Sequence, residues 1–311
     1  MLSGLFTSNS EGARHPRALA GLAAFAIALC TLVALEAAVR AEYDPPGQLM
    51  PRLAEAKRTL DPVNPDVLVF GSCLGQEALD LPAMAASLGP TVRVHSLTVA
   101  GTAPLDWYLA LRNVLDPALV ELVVVTFSVA DLETATDFWQ VQSLDLADAG
   151  SIREMAWWSC TEAECVSELY LRKASLLYRN WAYLANRAWT AWGTRTTNQP
   201  PPPTKHYPGR RVPVGRAPAY FVERFVQTAR AASTPVVFAE LPGNPDVGAE
   251  LAASRRRQRD SAIELLGKLQ VPVFTPTAPS GEYTDDVHVT VEGRGKLTAE
   301  LAAHLGAVLA R

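Results

Sequence analysis

Apolar residues fall into three kinds of run along this chain. One is long and unbroken: Ala18 to Leu35 carries no charge over 18 residues and is rich in Ala and Leu. Others are short, as in Val67–Phe70, Leu122–Phe127, Val236–Leu241 and Val271–Phe274. Each of these reads as a strand, and the all-apolar run Val67–Phe70 as one covered on both faces. Val92–Val99 reads as a further strand. The third kind recurs at helical spacing. It predicts helices over Leu49–Leu60, Leu74–Leu88, Leu105–Leu115, Tyr220–Ala232 and Gly248–Leu269, and from Glu292 to the end.

Strands alternating with helices predict an α/β fold, a parallel sheet in three layers. Sites in such sheets form outside the carboxyl ends of the strands. Gly71-Ser72-Cys73, Gly101 and Asp131 each follow a predicted strand, so they converge on one edge. The middle breaks the rhythm. Leu132 to Ala219 has no strand pattern and holds six of the seven tryptophans, so it predicts a helical insertion, residues 132–219, capping the site. Most of those tryptophans are expected to be core; a few could line a groove for sugar rings or lipid. Within it, Glu168–Trp192 reads as one amphipathic helix, and a proline- and arginine-rich loop runs from Pro200 to Arg216.

The long apolar run is just enough to span a bilayer as a helix. Arg14, His15 and Arg17 precede it, which places the N-terminus in the cytoplasm and the rest outside. A cleaved signal peptide competes, because Ala37, Ala38 and Ala41 are small, but the run is long for one. A buried core helix competes too, against its place ahead of a Pro-rich stretch. The expected organisation is a cytoplasmic tail at 1–17, an anchor at 18–40, a linker at 41–63 and one domain at 64–311. The domain then faces the periplasm or the cell exterior.

The chain has 311 residues, 49% hydrophobic and 19% charged, enough to bury a core. Its net charge of -4 gives no reason to expect a nucleic-acid partner. Of four cysteines, Cys30 lies in the apolar run, and Cys160 and Cys165 sit five apart. In an oxidising compartment that pair predicts a small disulfide loop. Two cysteines alone make an incomplete zinc site, so no metal or other cofactor is expected. Cys73 is left as an unpaired thiol, a candidate reactive group.

Cys73 ends Val67-Leu68-Val69-Phe70-Gly71-Ser72-Cys73, an apolar strand breaking into a small-residue turn. Far along the chain lies Tyr283-Thr284-Asp285-Asp286-Val287-His288, an Asp-x-x-His turn entering a helix. Together they can supply nucleophile, base and orienting carboxylate. A thiolate needs less help from a base than a serine hydroxyl does. The bland alternatives are a small buried Cys in a tight turn and an acidic cap on the last helix.

These residues resemble the SGNH (GDSL-like) hydrolases and acyltransferases, over roughly 64 to 311 with a divergent middle. The likeness is to the membrane-anchored branch that works beside membrane-bound O-acyltransferases on cell-surface polymers. It implies a flavodoxin-like α/β/α domain with Cys73 in the nucleophile slot, His288 as base, Asp285 orienting it and Gly293 trailing the motif. Asp286 is the alternative carboxylate, and Ser72 the alternative nucleophile by a one-residue shift. The family's second glycine block matches Gly101. The N–H groups of Cys73 and Gly101 are then the oxyanion donors. The family's third block usually gives an Asn; here Phe127-Ser128-Val129-Ala130-Asp131 offers Ser128 or Asp131 instead. Asn244 is a further candidate, though an Asn between Gly and Pro is usually a turn former.

The expected function is acyl transfer or ester hydrolysis on a cell-surface glycan or polymer. The alternative is a catalytically inactive module that binds a glycan or a membrane O-acyltransferase partner. A thiol redox role is disfavoured by the lack of Cys-x-x-Cys. Arg255-Arg256-Arg257-Gln258-Arg259 reads as a solvated helix face, with an anionic partner as the minority reading.

Overall fold

A computed structural model describes residues 15–42, 49–60, 66–133, 141–160, 163–179 and 216–310. The chain divides into two compact units: Pro45–Tyr170 with His206–Arg311, and Met1–Asp44 with Leu171–Lys205.

The larger unit is built on five parallel strands. They are β1 (Asp66–Gly71), β2 (Arg93–Thr98), β3 (Leu122–Phe127), β4 (Val236–Glu240) and β5 (Val273–Phe274). Their order is β2-β1-β3-β4-β5. β5 is shorter than its apolar run. Pro272 has no N–H for the ladder, although its carbonyl still accepts from Phe238 N at 3.0 Å.

Side chains alternate across the sheet and divide the core. Val67, Val69, Val124 and Ala239 pack on one face with Met84, Leu301 and Leu305. That face is covered by α3 (Cys73–Ala78), α4 (Leu81–Leu88) and the last helix, Val291–Leu309. Leu68, Phe70, Val125 and Phe238 point the other way. They meet the helices Leu49–Thr59 and Arg216–Ala231, and also α5 (Pro104–Asn113). Burying each such side chain contributes about 1.5–3 kcal/mol.

The helix expected over Leu74–Leu88 is two. Leu79 is extended, Asp80 caps α4 by accepting Ala83 N–H at 3.0 Å, and Pro82 suits the first turn. The segment expected as an insertion contains no strand among its described residues. Its helix Ala149–Ser159 is tied down by Glu154, which accepts from Tyr108 at 3.0 Å and pairs with Arg112 at 3.2 Å and Arg224 at 3.3 Å. Trp158 packs on Tyr220 with centroids 4.5 Å apart, while Trp157 is exposed, so it is not core. Trp139, Trp181, Trp189 and Trp192 lie outside the described residues. Cys160 and Cys165 form a disulfide with Cα atoms 5.4 Å apart. The single helix expected over Glu168–Trp192 instead starts at Ala163, stops at Ala174 and resumes over Leu176–Arg179; the residues beyond lie outside the description.

In the smaller unit, α1 (His15–Glu42) includes Ala20–Ala41, 22 residues that hold an 18-residue stretch of mean hydropathy 2.3, long and apolar enough to cross a membrane. Its end carries a polar clasp. The Glu36 carboxylate accepts from Ser175 Oγ at 2.8 Å and from Leu176 and Leu177 N–H at 3.0 Å each. Arg40 donates to Ala174 O at 2.5 Å and pairs with Glu36 at 2.8 Å.

Among the described glycines, those with the least room for a side chain sit at the β1–α3 turn. A Cβ built on Gly71 or Gly75 would lie 2.1 Å or 2.2 Å from Thr126 Oγ1. That hydroxyl is buried and donates to Phe70 O at 2.9 Å, so it has nowhere to go. Gly75→Ala is expected to cost about 1–3 kcal/mol by overpacking. Adding Thr126→Ala should restore part of it. Urea unfolding of the two single variants and the double variant measures this; an additive double variant would mean the clash is not the cause.

Candidate active site

The turn carrying Cys73 is anchored on three sides. Gly71 O accepts from Val99 N at 3.0 Å and from Thr102 Oγ1 at 2.8 Å, which brings the turn after β2 against the turn after β1. Gly101 lies in that second turn with φ +76°, a conformation glycine adopts without a Cβ penalty. Ser72 is the N-cap of α3, its Oγ accepting Leu74 N–H at 3.3 Å. The Ser72 hydroxyl also bonds Asp131, which accepts Ser128 N–H at 2.8 Å. Burial pushes the Asp131 carboxyl up, and these bonds oppose the shift. Ser72 is thus buried in turn and cap bonds, whereas Cys73 is half-buried and free of disulfide. Among the described residues, the N–H groups of Cys73 and Gly101 have no protein acceptor.

The Asp-x-x-His loop is a tight structure of its own. Tyr283 and Val289 form an antiparallel bridge, and Thr284 N donates to His288 O at 2.8 Å. Asp285 holds the loop from inside. Its Oδ1 accepts the N–H groups of Val287 and His288, both at 2.8 Å, and its Oδ2 meets His288 Nδ1 at 2.7 Å. The last helix is capped by Thr290, not by the acidic pair. Gly293 has a packing reason to lack a side chain: its Cβ would lie 2.8 Å from Glu282 O.

Asp286 faces elsewhere. Its carbonyl accepts from Asn244 N at 2.9 Å and Arg255 Nη1 at 3.1 Å, and its carboxylate lies 3.7 Å from Arg255 Nη2. Asn244 also donates its side-chain amide to Asp285 O at 3.2 Å. The loop after β4 therefore clamps the Asp285–His288 loop, with Tyr283 OH on Pro242 O at 2.7 Å as a further tie. Asn244 serves here as a loop clasp. Ser128 directly follows β3 and is buried beside Asp131.

His288 Nε2 points towards α3, 3.6 Å from Glu77 Oε2. Glu77 lies four residues after Cys73, on the same helix face. That spacing was visible in the sequence; what hid Glu77 was that only the folded chain brings His288 to it. Among the described residues, Cys73 and His288 form no hydrogen bond. The bond from Asp285 raises the His288 imidazole above the ordinary histidine range; burial opposes this, and the charges of Asp285 and Glu77 add to it. The Asp285 carboxyl is held well below the usual range by the N–H groups of His288 and Val287, then by the imidazole.

The other described histidines sit apart. His95 Nε2 meets the buried Asp66 at 2.7 Å at the opposite end of β1, and His304 stacks on Phe274 with centroids 4.4 Å apart. Among the described residues no three His, Cys, Asp or Glu side chains are placed to hold a metal ion.

Beside the turn and the loop lies a cleft of about 570 Å³ at the carboxyl ends of β3, β4 and β5. Leu74, Ser128 and Val287 line it, as do arginines of α12 (Ala249–Lys268).

No family model and no curated protein matches this chain. Solved structures do resemble it. A proposed platelet activating factor from Streptococcus pneumonia is 12% identical with TM-score 0.44, covering 90% of this chain and 99% of that one. A proposed acylhydrolase from Bacteroides fragilis NCTC 9343 is 12% identical with TM-score 0.43, covering 84% and 97%. A GDSL-like lipase from Bacteroides thetaiotaomicron VPI-5482 is 12% identical with TM-score 0.42, covering 83% and 97%. At these values the reading of this chain rests on its own strands and side chains.

Asp285→Asn is expected to bring the His288 imidazole down towards the ordinary histidine range, because a neutral amide does not favour the imidazolium. A proton NMR titration of the ring measures it; an unmoved midpoint would mean that the bond does not set the protonation. The linked stability has a definite sign. A raised histidine stabilises fully below its unfolded value, and that stabilisation fades as pH rises through its folded value. The variant should lose this advantage on the acid side of neutrality.

Proposed function

We propose that this chain is a membrane-anchored enzyme that transfers or hydrolyses acyl esters through Cys73, His288 and Asp285. The observation that carries the reading is the Asp285–His288 pair, 2.7 Å apart, with Nε2 turned to the helix that Cys73 begins. The pair lies at the carboxyl edge of the sheet, where α/β sites form.

In this reading Cys73 gives its proton to His288, and Sγ attacks the ester carbonyl. The C–O bond breaks, the leaving alkoxide takes the proton from His288, and a thioester to Cys73 remains. Water or an acceptor hydroxyl then loses a proton to His288 and attacks the thioester carbonyl; the C–S bond breaks, and His288 returns that proton to Sγ. Asp285 fixes the tautomer and stabilises the imidazolium. The N–H groups of Cys73 and Gly101 hold the oxyanion, with Ser128 as a further donor. Ser72 shapes the turn. The acceptor is a cell-surface glycan or polymer, and a membrane-bound O-acyltransferase is the partner that supplies acyl groups.

The Glu36 clasp supports an uncleaved anchor: a segment removed after export would leave Ser175 and the Leu176 and Leu177 N–H groups without it. The basic N-terminal flank supports a domain held outside the cytoplasm.

One observation favours a second reading, an inactive module that binds a glycan or a membrane partner. His288 Nε2 is turned to Glu77, and no hydrogen bond joins it to Cys73 among the described residues. Catalytic bonds are often long before substrate binds, so both readings go to the same test.

Cys73→Ala should abolish turnover of an activated ester while leaving the thermal midpoint unchanged. Cys73→Ser should keep part of it, Ser72→Ala most of it, and His288→Ala almost none; a general base contributes about 10²–10⁴-fold. Intact mass should show an acyl adduct on the wild type and none on Cys73→Ala. If all four variants turn over ester like wild type, the assignment of Cys73 and His288 is wrong; if neither wild type nor any variant turns over ester, the module reading replaces the enzyme. For topology, a reporter fused after Arg311 should be active only in the exported compartment; cytoplasmic activity would overturn the orientation.

A further inference from the structure

The cleft beside the Cys73 turn is lined by a basic helix face. Ala252, Arg255, Arg256 and Arg259 all line it. They are spaced three, four and seven apart along α12, which puts them on one side of that helix. Arg259 is committed: its Nε bonds the buried Glu240 at 2.6 Å, and Glu240 also takes Thr275 Oγ1 at 2.8 Å. Arg255 is committed to the Asp286 carbonyl at 3.1 Å and lies over Gly243, where a Cβ would come 2.9 Å from its Nη1. Arg256 is exposed, lines the same cleft and has no ion-pair partner among the described residues.

Charge along the lining does not balance. Glu240 is the one acidic side chain in the described lining, and Arg259 already answers it. Asp286 answers Arg255 from outside the cleft. Among the described residues one guanidinium is therefore left over, in a space that reaches Leu74, the residue after Cys73, and Val287, the residue before His288. A guanidinium presents a planar fork of donors that fits carboxylate or phosphate.

We propose that this cleft selects substrates carrying an anionic group, a carboxylate or a phosphate, beside the ester, with Arg256 as the selecting residue. This rests on the acyl-transfer reading of Cys73, His288 and Asp285. Arg255 and Arg259 shape the floor and hold the neighbouring loops, and Arg256 meets the anion. Apolar residues such as Leu74 and Val287 cover the rest of the ligand.

The test uses the full chain in detergent. Turnover is measured for the neutral 4-nitrophenyl acetate, its carboxylate counterpart mono-4-nitrophenyl succinate, and a phosphate-bearing acetate ester. Wild type should prefer one or both anionic esters, and which one identifies the group. Arg256→Gln should cut that preference in kcat/KM by about 10- to 100-fold, the worth of a hydrogen bond to a charged group. Arg256→Lys should keep more of it than Gln. Equal handling of neutral and anionic esters by wild type, or an unchanged preference in Arg256→Gln, overturns the proposal. Calorimetric titration of the same proteins with succinate and with inorganic phosphate separates the two ideas. If no ester is turned over, yet wild type binds one of these anions and Arg256→Gln does not, the catalytic reading fails and the anion site stands. Equal binding by both proteins, or none by either, sinks the site.

Discussion

One buried hydroxyl sets the geometry on which the candidate site depends. Thr126 Oγ1 sits between β1 and the start of α3, bonded to Phe70 O, with Gly71 and Gly75 closing over it. Only residues without a Cβ let the backbone come this near. The approach fixes where β1 stops and where α3 begins, and so where Cys73 and Glu77 lie. The turn after β2 is then hung on the Gly71 carbonyl through Val99 and Thr102. Remove the close approach and the Cys73 turn and the Gly101 turn lose their common support.

The second half of the site is held by a different economy. A single carboxylate, Asp285, folds its own loop with one oxygen and orients the imidazole with the other. Loop shape and proton affinity are thus set by the same group. Asn244 and Arg255 grip the neighbouring carbonyls from the loop after β4 and from α12. The imidazole is therefore placed by its own loop together with two segments 41 and 31 residues before it.

Much of the sheet was legible because fully covered strands write themselves as apolar runs. Val67–Phe70 and Leu122–Phe127 needed no other clue. The error over Leu74–Leu88 came from ranking apolar spacing above Asp80 and Pro82, a capping residue and a proline that suits a helix start. Cys73, Asp285 and His288 stood out by residue type and local spacing, since each short motif carries its own geometry. The basic run at Arg255 to Arg259 was legible only as charge. Which arginines are spent, on Glu240 and Asp286, depends on partners that lie 19 and 31 residues away. Asn244 looked like a turn former or a donor; in the fold its amide faces Asp285 O, a contact no local pattern encodes.

The disulfide has a consequence for assembly. Cys160 and Cys165 are five residues apart, whereas Cys73 is 87 residues from Cys160. Closing the short loop costs less chain entropy; for an ideal chain the encounter is favoured by roughly 70-fold. In a chain threaded outward anchor first, Cys73 would emerge well before either partner, with no second cysteine of the domain to pair with. By the time Cys160 emerges, Cys165 follows within a few residues and captures it. In an oxidising compartment the spacing therefore favours the Cys160–Cys165 bond over a link from either cysteine to Cys73, which is the pairing the fold contains.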